Sequence, residues 1–139
     1  MTKQKPSISL LIIDLIVEIK KNFLNKNVLN IPIIYLLIFK ILEENKGARV
    51  SDLSEIFGIS KPSITEIIQK MEDRELVYKK PGIDKRDRNI FLTEKGIKEK
   101  AIYKEKFKRF IDKRVQKMSK SDKDIFKKNL ESIINILQK

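Results

Sequence analysis

Apolar side chains recur at helical spacing over residues 8–24, at Ile8, Leu11, Ile12, Leu15, Ile16, Ile19 and Phe23, and Pro6 and Ser7 suit the start of a helix. The stripe is broad for so short a helix, so it calls for more than one neighbour, a second subunit among them. Residues 25–30 interrupt the pattern. Asn30 is placed to cap a second helix over 31–44, with Pro32 in its first turn and Gly47 placed to end it. That helix is apolar nearly all round, from Ile33 and Ile34 to Ile41 and Leu42, as expected of a core element.

The pattern then shortens. Ser51 can cap a helix over 52–57, Gly58 supplies a tight turn, and Ser60 caps a helix from Lys61 to about Arg74 with Pro62 in its first turn. Ile64, Ile67, Ile68 and Met71 form its i, i+3, i+4, i+7 stripe. Two extended stretches, 77–80 and 89–92, flank a charged loop over 81–88 that opens on a Pro-Gly turn. Thr93 caps a long helix reaching about Lys117. Ser119 with Asp122 resembles a capping box and opens a last helix over 120–138, apolar at Ile125, Leu130, Ile133, Ile134 and Leu137. The order is α-α-(β)-α-α-β-β-α-α, a mainly α (α+β) chain. It divides into N-terminal helices (1–47), a central lobe (48–93) and C-terminal helices (94–139).

Helix, glycine turn, helix, hairpin is the order of a winged helix-turn-helix, whose second helix enters the major groove of a DNA duplex. Opposite the apolar stripe of that helix lie Pro62, Glu66, Gln69 and Asp73, flanked by Ser63, Thr65 and Lys70. Gln can pair with adenine, Glu can accept from cytosine N4, and Ser, Thr and Lys serve bases or phosphates. Ser60 and Lys61 complete the candidate DNA-binding set on the helix. In the loop, Lys85, Arg86 and Arg88 are candidates for the duplex. Arg86 can enter a narrow minor groove, held in direction by a bidentate pair with Asp84 or Asp87.

Composition restricts the chemistry. The 139 residues include no Cys and no His, which removes disulfides, thiolate switches, the commonest zinc and iron ligands and the usual general base. No cofactor, no metal and no enzymatic activity are expected. Acidic pairs such as Glu43/Glu44 and Asp122/Asp124 read as caps and solvated surface. Lys3 and Lys5 precede an apolar stretch that Asp14 and Glu18 interrupt, and Ile31–Phe39 is too short to span a bilayer, so a cytoplasmic protein without membrane attachment is expected.

The stretch VSDLSEIFGISKPSITEIIQKMEDRELVYKKPGIDKRDRNIFLTEKG, residues 50–96, resembles the winged-helix core of the multiple antibiotic resistance regulator (MarR) family. The specific part is Asp84-x-Arg86 followed by Ile90-x-Leu92-Thr93-Glu94-Lys95-Gly96. The flanking helices match in layout. The resemblance implies a homodimer, with the N- and C-terminal helices interlocked as a dimerisation domain. It implies a transcriptional regulator, typically a repressor, acting on a pseudo-palindromic operator in double-stranded DNA. It also implies Ser60 to Lys70 in the major groove, Arg86 in the minor groove and Asp84 as its partner. Many family members release DNA on meeting a small aromatic or amphipathic ligand, and Ile12, Tyr35, Phe39 and Tyr103 are candidates to line such a site, with ordinary core packing the competing account. The absence of Cys and His rules out the family's thiol-oxidation switch and argues against its zinc-sensing variant. Asn89 stands where a basic residue is often found. SKPSITEIIQKMEDREL and LTEKG also resemble the metal-dependent iron-type winged-helix repressors, whose His, Cys and Met ligands have no counterpart set here. A further alternative is a winged-helix module that binds protein within a larger nucleic-acid complex.

Charge gives only loose support. Lys and Arg number 31 against 19 Asp and Glu, a net of +12. Yet residues 60–90 carry eight basic and six acidic side chains, whereas 98–128 carry thirteen and five. The fifth helix is the electrostatic centre, either as a phosphate-facing shoulder or as a solvated face whose Lys stems cover apolar surface.

Overall fold

The computed structural model describes residues 5–25, 29–81 and 88–139, and of Arg88 the backbone alone. The elements run α1 (Ile8–Phe23), α2 (Ile33–Asn45), β1 (Ala48–Arg49), α3 (Val50–Phe57), α4 (Lys61–Asp73), β2 (Val77–Pro81), β3 (Arg88–Leu92), α5 (Glu94–Val115) and α6 (Lys120–Leu137). The mainly α, winged helix-turn-helix expectation is met. Four caps are those the sequence marks: the hydroxyls of Ser7, Ser60, Thr93 and Ser119 accept from the backbone N–H of Leu10, Ser63, Gly96 and Asp122.

Two caps differ. α2 begins after Pro32, and Asn30 instead takes a left-handed conformation (φ 55°) in the preceding turn. Its other end closes through Lys46, also left-handed, whose N–H bonds the Leu42 carbonyl ahead of Gly47. α3 begins at Val50 because Asp52, at its third position, reaches back to the Arg49 backbone N–H (3.1 Å). Asp52 also receives the Arg49 side chain, so an Arg–Asp pair does what Ser51 was expected to do.

The chain divides into two compact units. One comprises Asn27–Lys106; the other is drawn from Met1–Lys26 and Phe107–Lys139, and α5 contributes to both. The first unit holds every buried apolar residue among those described. Its three strands pair antiparallel in the order β1-β3-β2, with Ala48 opposite Ile90 on one side and Val77 opposite Leu92 on the other. α2 supplies Tyr35, Ile38, Phe39 and Leu42 to the core, α3 Leu53, α4 Ile64, Ile68 and Met71, and the sheet Ala48, Val77 and Ile90. α2 packs on β1 and β3 through one face, while Leu37 on its other side stays exposed.

The second unit is different in kind. Neither α1 nor α6 has a buried residue in a single chain. Phe23 and Phe126 stack at 6.1 Å between ring centres, but most of the apolar surface of both helices is open. No helix among the described residues is long and apolar enough to cross a membrane.

Candidate nucleic-acid interface

α4 is the element on which recognition would depend, and its two faces are sharply divided. Ile64, Ile68 and Met71 are completely buried and Ile67 is half-buried, so the helix cannot rotate without opening the core. Its start is fixed twice by Ser60, which accepts from the Ser63 N–H (3.3 Å) and donates to the Ser63 hydroxyl (2.9 Å). α3 fixes it from the other side: the Ser54 hydroxyl donates to the Ile59 carbonyl (2.6 Å), and Gly58 turns the chain at φ 62°.

On the opposite face Ser60, Lys61, Ser63, Thr65, Glu66, Gln69 and Lys70 are all exposed. The structure brings these sequence-marked candidates onto one surface. Two pairs order it: Lys70 with Glu66 at 3.4 Å and the Gln69 amide donating to Asp73 at 3.0 Å. Exposed pairs of this kind are worth a few tenths of a kcal/mol, so an incoming partner can replace them easily. The helix carries two Lys against three acidic residues, Glu66, Glu72 and Asp73. Its chemistry is therefore hydrogen-bonding rather than cationic, which fits base edges better than phosphates.

The wing candidates Asp84, Lys85 and Arg86, and the Arg88 side chain, lie outside the described residues. The strands that carry the loop are described. Lys79 is half-buried and Lys80 exposed near the end of β2, and Tyr78 stacks on Phe91 at 5.4 Å across the pair.

At the base of the hairpin Thr93 does more than form the α5 cap that the patterning marks. The Thr93 N–H bonds the Leu76 carbonyl (3.1 Å), and its hydroxyl donates to the Glu75 carbonyl (2.5 Å) while accepting from the Gly96 N–H (2.9 Å). Glu75 is left-handed (φ 61°), which turns the chain from α4 into β2. Gly96 sits so close to that turn that a Cβ would lie well inside van der Waals contact distance of the Leu76 carbonyl oxygen. The Leu-Thr-x-x-Gly spacing was the visible signal; its cause is this contact across 18 residues.

Around the site, several ionisable groups are shifted. Hydrogen bonds from Arg49 hold the Asp52 carboxyl below its ordinary value. The Lys100 ammonium, paired with Glu43 across 57 residues, does the same for Glu43. Partial burial, reinforced by the Glu99 carboxylate, raises the Tyr103 phenol.

Of the candidate ligand residues, Tyr35 and Phe39 are buried. Phe39 stacks on Tyr103 at 6.2 Å, and the Arg74 guanidinium lies 5.7 Å from the Tyr35 ring centre. These three side chains come together, packed within the first unit. Ile12 is exposed on α1 in the second. No group of three or more Asp or Glu that could hold a metal ion occurs among the described residues.

Comparison with known proteins agrees with this architecture. Residues 36–87 match the MarR family model, the family that the Asp84-x-Arg86 spacing resembles. Over 62 residues the chain is 37% identical to the HTH-type transcriptional regulator MntR of Bacillus subtilis (strain 168) and to that of Bacillus velezensis. The match takes in 44% of this chain and spans only 39% of the length of those relatives. Similar solved structures include the wild-type, apo form of MarR from E. coli (TM-score 0.77, 14% identity, 94% of this chain and 98% of that one). BldR from Sulfolobus solfataricus is similar at TM-score 0.73 and 20% identity, over 98% of this chain and 99% of that one. A complex of S. aureus MepR with DNA matches at TM-score 0.61 and 21% identity, over 96% and 99%. At these identities the structures establish the shared fold.

Proposed function

We propose that this protein is a sequence-specific double-stranded DNA-binding transcriptional regulator, a repressor in its basal mode, that works as a homodimer on a pseudo-palindromic operator. Its function is binding, not catalysis. One observation carries this reading: the α4 face bearing Ser63, Thr65, Glu66, Gln69 and Lys70 is wholly exposed, while the reverse of the same helix is locked into the core by Ile64, Ile68 and Met71. A rigid helix with an outward hydrogen-bonding face is what major-groove readout requires. In this reading Arg86 and Arg88 meet the minor groove and the adjoining backbone, with Asp84 orienting Arg86.

The homodimer is supported by the second unit. Ile8, Leu11, Ile12, Ile13 and Ile16 on α1, and Ile134, Ile136 and Leu137 on α6, are half or more exposed in one chain. So much contiguous apolar surface is unusual on a monomer. Release by a small aromatic or amphipathic ligand is supported by a cavity of about 500 Å³ in this unit, where Leu15, Phe23 and Phe126 supply apolar walls and Arg114 and Lys117 supply cations.

Selection from a random duplex pool tests the proposal. Enrichment of a motif with two-fold symmetry and half-sites about one helical turn apart supports it. An enriched motif without symmetry counts against the dimer, and failure to enrich any duplex counts against the regulator.

A further inference from the structure

We propose that Thr93 is a positioning residue, whose hydroxyl sets the angle of the β2–β3 hairpin against the recognition helix and so determines how the wing meets DNA. The inference rests on the DNA-binding role proposed above.

Three pieces of chain meet at this one side chain. Its hydroxyl donates to the carbonyl of Glu75 (2.5 Å), in the turn that leaves α4, and accepts from the N–H of Gly96 (2.9 Å), in the first turn of α5. Its backbone continues β3, and its N–H closes the hairpin on the Leu76 carbonyl (3.1 Å). A hydroxyl has one hydrogen to donate, and here it is used on the recognition-helix side of the joint. The joint is reinforced on both flanks. Lys95 pairs with Glu75 at 3.7 Å, and the missing side chain of Gly96 lets α5 approach the Leu76 carbonyl closely.

The joint lies at the fulcrum of a lever. The hairpin ladder runs from Val77 opposite Leu92 to Pro81 opposite Arg88. Four residue steps of about 3.3 Å put the far end roughly 13 Å from the Val77–Leu92 pair next to Thr93. A rotation of about 10° at the base moves that end by roughly 2 Å, beyond the tolerance of about 0.5 Å for a productive site. The buried stripe of α4, packed against α3 and the base of β2, holds the recognition helix without the Thr93 bonds. Loss of the Thr93 bonds therefore changes the position of the wing relative to α4, rather than that of α4 itself.

The test uses the full chain with Thr93→Val, which keeps shape but neither donates nor accepts, and Thr93→Ser, which keeps both bonds. Each is made in the natural chain and in one whose residues 82–87 are replaced by Asn-Gly. Affinity is measured on the duplex selected by the wild-type protein. Thr93→Val is expected to weaken binding about tenfold in the natural chain and less than twofold in the shortened-wing chain, with Thr93→Ser within twofold of wild type. An equal loss in both backgrounds, no loss in either, or a Ser variant as weak as Val overturns the proposal. So does unchanged binding by the shortened-wing chain itself.

Amide exchange in the DNA-free protein gives a second readout. Thr93→Val should speed exchange at Tyr78 and Phe91, a directly opposed pair of the β2–β3 ladder, while leaving Ile68 and Met71 unchanged, and a uniform increase overturns the proposal. Failure of the wild-type protein to bind any duplex defeats the functional reading, and the exchange result still decides whether Thr93 holds the hairpin.

Discussion

Gly96→Ala is a sensitive probe of the joint between α4, the hairpin and α5. In an ordinary helix interior this change stabilises by about 1 kcal/mol, because Ala has the higher helix propensity. Here the sign reverses. The added Cβ would overlap the Leu76 carbonyl oxygen and lie 3.0 Å from its carbon and 3.3 Å from the Thr93 hydroxyl. The nearest obstacle is backbone, which cannot swing aside. Relief requires the first turn of α5 to withdraw by roughly an ångström, an overpacking cost of about 1–3 kcal/mol. That withdrawal strains the Thr93 N–H bond to Leu76 and the hydroxyl bond to Glu75, each worth about 1 kcal/mol. After the propensity gain, the net loss is about 2–4 kcal/mol. For a chain of this size that is a fall of roughly 8–15 °C in melting temperature. Gly58→Ala is the control: φ is +62° but the space is open, so only the left-handed backbone cost of about 1–2 kcal/mol applies. The assay is thermal unfolding by circular dichroism at one fixed protein concentration, since association shifts the midpoint. A Gly96→Ala protein that melts at or above the wild type, or one less affected than Gly58→Ala, would refute the packing argument.

Other consequences follow from the same geometry. Replacing Leu11 and Ile16 together with Lys places two charges on the open face of α1. Sedimentation should then show a monomer where the wild-type chain is a dimer, and an unchanged sedimentation coefficient would exclude this face from association. Lys100 holds the Glu43 carboxyl below its ordinary value. A depressed carboxyl contributes stability that is present at neutral pH and is lost as pH falls below about 4, through the folded-state value. Lys100→Met should flatten that acid limb in pH-dependent melting, and an unaltered acid limb would show that the pair contributes nothing. The raised Tyr103 phenol works in the opposite sense, so its contribution holds below about pH 10 and fades above it. Tyr103→Phe should reduce the loss of stability at alkaline pH, and an identical alkaline limb would count against Tyr103 as its source.

Local signals were legible in the sequence wherever one residue acts on its near neighbours. Ser7, Ser60 and Ser119 cap as their spacing indicates, and the stripe of α4 is buried as its period requires. Features that depend on competition or distance were less visible. Ser51 has the better capping chemistry, yet Arg49 and Asp52 pair first and start α3 ahead of it. Asn30 could cap α2, but its left-handed backbone removes it from that role. The clasp of Thr93 on Glu75 spans 18 residues and had no local signature beyond a threonine and a glycine at fixed spacing. α1 reads as a buried helix by pattern, and within one chain nothing buries it. Its apolar stripe describes a surface that the fold of a single copy does not use.

The central claim, that the outer face of α4 reads base sequence, is tested most directly by fluorescence anisotropy with Glu66, Gln69 and Ser63 changed together to Ala. The titrations use the selected duplex and a scrambled duplex over a range of salt concentrations. The wild-type protein should prefer the selected duplex by about 10³-fold or more. The variant should lose most of that preference while keeping the same salt dependence, because none of the three side chains supplies a cation to phosphate. A variant that discriminates as well as the wild type would contradict the account and place recognition elsewhere on the molecule.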